Sequence, residues 1–228
     1  MNTRTSPVQS RHGLLTTIAW NVDGQVEYAL EGSVFIAGAA IQWPRDQLGL
    51  VETAGETESL ARSIPSTEGV FLIPAFTGLG APYWDSGVRG MLIGLTRGSK
   101  RAHLVRAALE SIACQTVDVV RCFEQDSGYR VLRLQVDGGA CANNFLMQFQ
   151  ADLLGIPLRR PKVIETTTLG AAFLAGLGVG FWESREQIAR HWQEDRVFLP
   201  KMEENDRQRR QERWQSAIQL ARQWRVSS

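Results

Sequence analysis

The stretch 132–149, which reads LRLQVDGGACANNFLMQF, constrains the fold of this chain more than any other segment. Over residues 132–136 apolar and polar side chains alternate, which predicts a strand. Residues 137–139, Asp-Gly-Gly, form a turn with almost no side-chain bulk. From about Cys141 onward the apolar residues recur at helical spacing. The segment therefore predicts a strand, a diglycine turn and a helix in direct succession.

A turn of this kind lets a ligand approach the backbone closely, beside the amide groups that open a helix. It is typical of sites that bind a nucleotide or another phosphorylated ligand. The structural alternative is a tight turn followed by a helix that Asn143 or Asn144 caps. The spacing of the residues leaves both interpretations open.

A second candidate lies in SVFIAGAAIQW, residues 33–43, which predicts a buried helix capped by Ser33. Gly38 and Gln42 are four residues apart and therefore share a face of that helix. Together they form a bare spot with an amide one turn above it, which suits a flat or phosphorylated ligand. The alternative is a glycine that lets another element pack closely, and spacing alone favours it. Pro44 is expected to end or kink the helix.

The remaining elements follow from periodicity and turn residues. The Asp23-Gly24 pair predicts a hairpin between strands at 14–20 and 25–30. A helix over 166–177 is rich in small residues, which predicts close packing against another helix. The other predicted elements are an amphipathic helical region at 45–68, strands at 69–75, 90–95 and 156–158, and helices at 100–126, 184–193 and 204–224.

The predicted last helix carries an apolar stripe and a basic surface. The stripe consists of Trp214, Ile218, Ala221 and Trp224. The basic residues around it are Arg207, Arg209, Arg210 and Arg213. Such a surface can meet phosphates, but acidic residues at the start of the helix favour a solvated charged face instead.

The composition argues against several classes of function. The 25 lysines and arginines nearly balance the 24 aspartates and glutamates, so no charge excess favours nucleic acid or an anionic membrane. The 3 cysteines form no Cys-X-X-Cys pair, which indicates neither a disulfide framework nor a zinc site. The N-terminus lacks an apolar signal core, and the longest apolar run is too short to span a bilayer. We therefore expect a cytoplasmic globular chain with no nucleic-acid or membrane partner.

The sequence contains no conventional catalytic constellation. His12, His103 and His191 lack the spacing of metal ligands, and nucleophile-elbow, zincin and phosphate-loop motifs are absent. The carboxylates are scattered, with no pair that indicates general acid–base catalysis. A candidate nucleotide cradle without an evident catalytic base suggests half of a site.

Five long segments, in order along the chain, resemble the C-terminal half of the glycerol kinases, within the FGGY carbohydrate kinases. They are residues 13–19, YALEGSVFIAGAAIQW at 28–43, PAFTGLGAPYWD at 74–85, VDGGACANNFLMQFQADLLG at 136–155 and LGAAFLAGLGVGFW at 169–182. The resemblance implies an α/β fold, an actin-like ATPase (ribonuclease H-like) domain with a mixed five-stranded sheet flanked by helices. It also implies an N-terminal arm at 1–13, a kinase domain at 14–200 and a C-terminal helix at 201–228 packed on that domain.

The resemblance further implies how a nucleotide lies. Gly38 and Gln42 would face its phosphates and ribose. Gly139 would lie against the ribose and α-phosphate, and the Asn143 amide would read the adenine. The implied cofactors are ATP or ADP, with Mg²⁺ held mainly through the nucleotide and the N-terminal half. No catalytic residue is assigned to this chain, because the family's catalytic Asp and its glycerol-binding residues belong to that half.

The implied activity is the phosphorylation of glycerol by ATP, for which this chain alone is expected to be inactive. The expected partners are an adenine nucleotide, the N-terminal kinase half and, through apolar surface that this half would cover, a second copy of the chain. The alternatives are a non-catalytic nucleotide-binding or interaction module and half of a related polyol or sugar kinase. Pro44 departs from the helix-compatible residue usual in the family, and the last helix is more basic than expected.

Overall fold

The computed structural model describes residues 1–22 and 24–224, which contain eight strands and seven α-helices. The strands are β1 (Asn2–Arg4), β2 (Leu15–Val22), β3 (Gln25–Glu31), β4 (Phe71–Ile73), β5 (Met91–Ile93), β6 (Leu134–Gln135), β7 (Leu158–Pro161) and β8 (Glu194–Phe198). The helices are α1 (Ala39–Asp46), α2 (Glu56–Arg62), α3 (Arg101–Ser127), α4 (Asn144–Leu154), α5 (Thr166–Gly178), α6 (Arg185–Ala189) and α7 (Glu204–Gln223). The turn residue Asp23 and the predicted helical end at 225–228 lie outside the described residues.

The 27-residue helix α3 is the element on which helices α1, α2 and α4 pack. Its sequence holds no glycine or proline until Gly128, whose left-handed conformation, with φ of 71°, ends the helix where the sequence predicts. Most of its side chains are buried, because α1, α2, α4 and β4 all lie against it. The hydrophobic core is therefore built around α3.

The strands form three small sheets rather than one. β2 and β3 are the predicted antiparallel hairpin, β1 pairs with β3, and β2 is left as an edge strand that is exposed along nearly its whole length. β4 and β5 form an antiparallel pair. β6, β7 and β8 form a mixed sheet, parallel between β6 and β7 and antiparallel between β7 and β8. The described residues thus contain a mixed three-stranded sheet and not the expected five-stranded one, since β4 hydrogen-bonds only with β5.

The N-terminal segment, for which the sequence predicts a frayed or loosely docked arm, is held at both ends. The Met1 ammonium group donates to the Leu30 carbonyl at 2.7 Å, and β1 continues this pairing along β3. At the other end, the side chains of Ser10 and His12 bind the Asp126 carboxylate near the end of α3. The segment is therefore docked on the domain rather than frayed.

Helix α1 begins later than the sequence predicts and continues further. Its N-cap is Gly38, so the predicted cap Ser33 lies outside the helix. Pro44 does not end the helix, which runs on to Asp46. Pro44 lies in the last turn of this short helix, so its missing N–H removes one intrahelical bond, while the Trp43 carbonyl still accepts the Gln47 N–H at 3.0 Å.

Helix α7 packs on the core through part of its predicted stripe. The buried residues are Trp214, Ala217, Ile218 and Ala221. Trp224, the last residue of the predicted stripe, is 71% exposed. The arginines of α7 agree in part with the predicted solvated charged face, since Arg209 forms an exposed ion pair with Asp206 at 2.7 Å.

Helix α5 is apolar along most of its length but has no buried residue. A Cβ built on Gly170 or Gly178 would meet no other atom within 4 Å. The predicted close packing is therefore absent from most of α5 in the described structure, with Gly176, which faces Trp182, as the exception. Across residues 1–22 and 24–224, no helix combines the length and apolar character needed to cross a membrane.

Candidate functional site

The four predicted site residues form two pairs on different elements. Gly38 and Gln42 lie at the start of α1, and Gly139 and Asn143 lie in the turn that leads into α4. Both helices pack on α3 and contribute buried side chains to one hydrophobic cluster. Among the described residues no hydrogen bond joins one pair to the other, so the structure places the pairs on a common core without linking them directly.

Gly38 is open to its surroundings rather than packed. A Cβ built on it would meet no other atom within 4 Å, whereas a Cβ on Gly80 would lie 2.2 Å from the Ser33 carbonyl oxygen. The backbone of Gly38, with φ of −57° and ψ of −34°, is accessible to every L residue. The Gln42 N–H bonds the Gly38 carbonyl at 3.2 Å, which keeps both residues on one face. Within the described chain no other element packs against this glycine, so the surface beside it is open.

The diglycine turn contains one glycine that the backbone requires and one that it does not. Gly138 has φ of +78° and donates its N–H to the Ile164 carbonyl at 2.8 Å. Gly139 opens a 3₁₀ turn, Gly139–Ala142, which replaces the first turn of the predicted helix. A Cβ on Gly139 would meet nothing within 4 Å. Contacts within the described chain therefore do not explain why Gly139 is a glycine.

Asn143 caps α4, which confirms the structural alternative for this residue. Its Oδ1 accepts the N–H of Leu146 at 2.9 Å, and its Nδ2 donates to the Thr57 hydroxyl at 3.1 Å. These two bonds leave one amide hydrogen and one lone pair free on a half-buried side chain. The cap and a contact with a nucleobase are thus compatible, and the cap fixes the orientation of the amide.

Helix α2 holds the start of α4 through two side chains that sequence reasoning missed. Besides the Thr57 contact, Glu58 accepts the backbone N–H of Asn144 at 2.8 Å. Partial burial opposes ionisation of this carboxyl, but hydrogen bonds from Asn144 and Arg62 lower the pKa of Glu58 overall. Both α2 contacts join residues 86 positions apart, and no local sequence pattern signals such a pairing.

The buried carboxylates of α3 connect elements of the core, and within the described residues they form no hydrogen bond with the four predicted site residues. Glu110 pairs with Arg106 at 2.7 Å, and Arg106 also donates to backbone carbonyls at the end of α2. Burial raises the pKa of Glu110 despite that pairing. Asp118 accepts hydrogen bonds from Tyr83 and Trp214. In the described parts of the chain, no group of three or more His, Cys, Asp or Glu side chains is placed to hold a metal ion.

Two large cavities lie away from the predicted site residues. One, of about 880 Å³, lies between the β2–β3 hairpin and the end of α5. A second, of about 560 Å³, lies between the sheet of β1, β2 and β3 and helix α6. Gly38 and Gly139 thus present open surface to solvent, which is suited to a ligand that a second protein surface also covers.

Known proteins match this chain over most of its length, whereas the chain covers only part of theirs. The family profile described as FGGY family of carbohydrate kinases, C-terminal domain, matches residues 1–179. The glycerol kinase of Caldanaerobacter subterraneus subsp. tengcongensis is 58% identical over 224 residues, and that of Geobacillus kaustophilus is 57% identical over 221. These alignments cover 98% and 97% of this chain and 45% of each relative, so the chain spans about half the length of the curated relatives it matches.

Solved structures of kinases also match the fold of this chain. The glycerol kinase of Plasmodium falciparum, crystallised with ADP, matches with a TM-score of 0.87 and 36% identity, over 97% of this chain and 44% of that one. A ligand-bound xylulose kinase from Lactobacillus acidophilus, with a TM-score of 0.77 and 22% identity, shows the fold alone over 96% of this chain and 44% of its own. The expected α/β, actin-like ATPase class is confirmed. The chain belongs to the FGGY family of carbohydrate kinases, whose C-terminal domain it contains.

Proposed function

We propose that the chain is the nucleotide-binding half of a glycerol kinase, which transfers the γ-phosphoryl group of ATP to glycerol and releases ADP and glycerol 3-phosphate. The glycerol kinases that match at 55–58% identity and the ADP-bound glycerol kinase structure support this substrate pair. The xylulose and gluconate kinases, at 22–23% identity, are similar in fold and favour no other substrate.

One observation carries the proposal, the recurrence of an open glycine followed four residues later by an amide side chain. Gly38 precedes Gln42, and Gly139 precedes Asn143, in two separate elements. Neither glycine packs against other atoms of the described chain. A glycine lets phosphate or ribose touch the backbone, and the amide adds a donor and an acceptor for polar atoms of the same ligand.

In this proposal each pair serves a different part of the nucleotide. Gly38 and Gln42 face the phosphates and the ribose. Gly139 lies against the ribose and α-phosphate. Asn143 uses its free amide hydrogen and free lone pair on the adenine edge, while its other groups keep capping α4. The site therefore binds and orients the nucleotide through backbone and amide groups.

The groups gathered at this site bind a nucleotide but do not complete a kinase. In this proposal Mg²⁺ is held mainly through the nucleotide and the N-terminal half. Phosphoryl transfer depends on positioning and on stabilising charge from both sides of the phosphate. The proposal therefore gives this chain nucleotide binding, and catalysis requires the N-terminal half as partner.

The proposal also includes the organisation and the setting of the chain. Residues 14–200 form the kinase domain, residues 1–13 its docked arm and residues 201–228 its packed C-terminal helix. The setting is the cytoplasm, where the nucleotide is available. A second copy of the chain covers exposed apolar surface when the N-terminal half is absent.

Complementation tests the proposed reaction. The chain alone is expected to form no glycerol 3-phosphate, and a mixture with a separately produced N-terminal half of the Caldanaerobacter glycerol kinase is expected to form it. Glycerol-dependent release of ADP measures the reaction, with a mixture lacking glycerol as control. Transfer to xylulose but not glycerol would favour a related sugar kinase, and ADP binding with no transfer to any polyol would favour a non-catalytic module.

Gly38→Leu tests the nucleotide site in the chain by itself. The side chain enters open space, so the melting temperature is expected to change by less than about 2 °C. The dissociation constant for ADP is expected to rise at least about ten-fold, because leucine occupies the surface that the phosphates need. Calorimetry measures both quantities.

Gly178→Leu is the matched control, since a Cβ there also meets nothing within 4 Å and the position lies at the opposite end of α5 from Thr166, which bonds Asp137. Its ADP affinity should equal that of the wild type. Unchanged affinity in Gly38→Leu would remove Gly38 from the site. Asn143→Ala is a weaker probe, because loss of the α4 cap by itself costs about 1 kcal/mol of stability.

A further inference from the structure

Arg159 and Arg160 are adjacent on β7, and each binds a carboxylate of β8. Arg159 binds Glu194, with 2.5 Å between Nε and Oε2, and Arg160 binds Asp195, with 2.8 Å between Nε and Oδ2. Neighbours on one strand point to opposite faces of the sheet, so the two guanidinium groups reach different parts of the protein. The aromatic rings on which they lie are Trp192 for the first and Phe198 for the second.

The second of these arginines reaches the turn that carries half of the proposed nucleotide site. Arg160 Nη1 donates to the Cys141 carbonyl at 2.8 Å and lies 3.4 Å from the next carbonyl along the chain. Both oxygens belong to the 3₁₀ turn Gly139–Ala142, which leads directly to Asn143. The Arg160 side chain is only 12% exposed, and Asp195 holds its Nε and Nη2. A fixed connection therefore runs from β8 to this turn.

The turn is fastened at both ends by other contacts. At its start, Gly138 bonds the Ile164 carbonyl, and Asp137 accepts a hydrogen bond from the Thr166 hydroxyl. At its end, Asn143 caps α4. Between these points, Arg160 is the one side chain among the described residues that donates a hydrogen bond to the turn.

Resting on the nucleotide site proposed above, we propose that Arg160 is a positioning residue of that site. With Asp195 it sets the separation between Gly139, which meets the ribose and α-phosphate, and Asn143, which meets the base. Displacements of about an ångström in such groups weaken a bound ligand's contacts strongly. Arginine suits this role because its planar fork binds a carboxylate and backbone carbonyls together, which the single ammonium of lysine does not.

The test compares Arg160→Gln with Arg159→Gln in the 228-residue chain. Each removes one ion pair and one ring contact, but only the first removes the donor to the turn. Arg160→Gln is expected to weaken ADP binding at least about ten-fold and to reduce the preference for ADP over inosine diphosphate. Exchange of the backbone N–H of Asn143 with solvent should be at least about ten-fold faster. Arg159→Gln should change each quantity less than about two-fold.

Calorimetry gives the affinities, and NMR hydrogen exchange without nucleotide gives the state of the turn. If Arg160→Gln fails to fold, Asp195→Asn replaces it, with Glu194→Gln as its control. Equal effects of the paired variants in a chain whose wild type binds ADP would overturn the positioning role alone. A wild-type chain that does not bind ADP would overturn the nucleotide site and the positioning role together.

Discussion

Replacing Trp214 by alanine is expected to lower the free energy of unfolding by about 4 kcal/mol. The indole is only 2% exposed and belongs to the main hydrophobic cluster, so its removal leaves a large cavity. Its Nε1 also donates to Asp118 at 2.7 Å, and the variant leaves that buried carboxylate with one donor fewer. Urea denaturation followed by circular dichroism measures the loss.

Two further variants separate the causes of that loss. Trp224→Ala removes the same type of side chain from the C-cap of the same helix, but Trp224 is 71% exposed, and the expected change is below about 0.5 kcal/mol. Trp214→Phe keeps most of the packing and removes the donor, so it should cost about 1 to 2 kcal/mol. Similar losses from the two alanine variants would mean that α7 is not anchored through Trp214.

Asp118→Asn is expected to change how stability depends on pH. Burial raises the pKa of Asp118 from 3.8 to about 6, even though Trp214, Tyr83 and Gln215 donate hydrogen bonds to it. A carboxyl whose pKa is higher in the folded state stabilises that state below about pH 4, and this contribution is lost as the pH rises through 6. A difference of roughly two between the folded and unfolded pKa corresponds to about 3 kcal/mol.

The measurable quantity is the difference in free energy of unfolding between Asp118→Asn and the wild type. It should shift in favour of the variant by about 3 kcal/mol between pH 4 and pH 7.5, because asparagine does not titrate. Asp126→Asn, on the same helix, should change little over this range, because the contribution of a carboxyl with a lowered pKa is lost only as the pH falls below about 4. Burial opposes ionisation there too, but hydrogen bonds from Ser10, Arg11 and His12 lower the pKa of Asp126 overall. A difference that is constant with pH for Asp118→Asn would contradict the assignment.

Elements whose signals are local could be predicted from the sequence, and elements set by distant contacts could not. The end of α3 at Gly128 and the β2–β3 hairpin depend on neighbouring residues alone. The start of α1 does not, because the Ser33 carbonyl accepts the N–H of Ala81 and the Ile36 carbonyl accepts the Gln115 side chain. These bonds occupy backbone groups that a helix starting at Ser33 would need.

Strand β8 is another element that local sequence signals do not predict. Its sequence, EDRVF, lacks the alternation that predicts a strand, and the helix predicted at 184–193 is reduced to α6. β8 pairs with β7 in an antiparallel register, and Arg159 and Arg160 reach diagonally across to Glu194 and Asp195. Such cross-strand pairs stabilise a sheet only once the strands are adjacent, so neither strand signals the other along the sequence.

The candidate site could be located from the sequence only with help from the family resemblance. Spacing alone favoured a packing role for Gly38, and only the structure shows the open space beside it. Thr57 and Arg160 hydrogen-bond to residues of the proposed site but lie 86 and 18 or 19 residues from the groups they bind. Such contacts depend on the tertiary structure and produce no periodic pattern in the sequence.

The exposed edge of β2 has a consequence for the behaviour of the chain in solution. One side of this strand pairs with β3, and its other side carries no strand within the described residues, so peptide N–H and C=O groups point outward in a row. Its sequence, LTTIAWNV, contains none of the charges or prolines that discourage a further strand from joining. We therefore expect this edge to accept a strand from a second molecule, which a concentration-dependent sedimentation coefficient would detect.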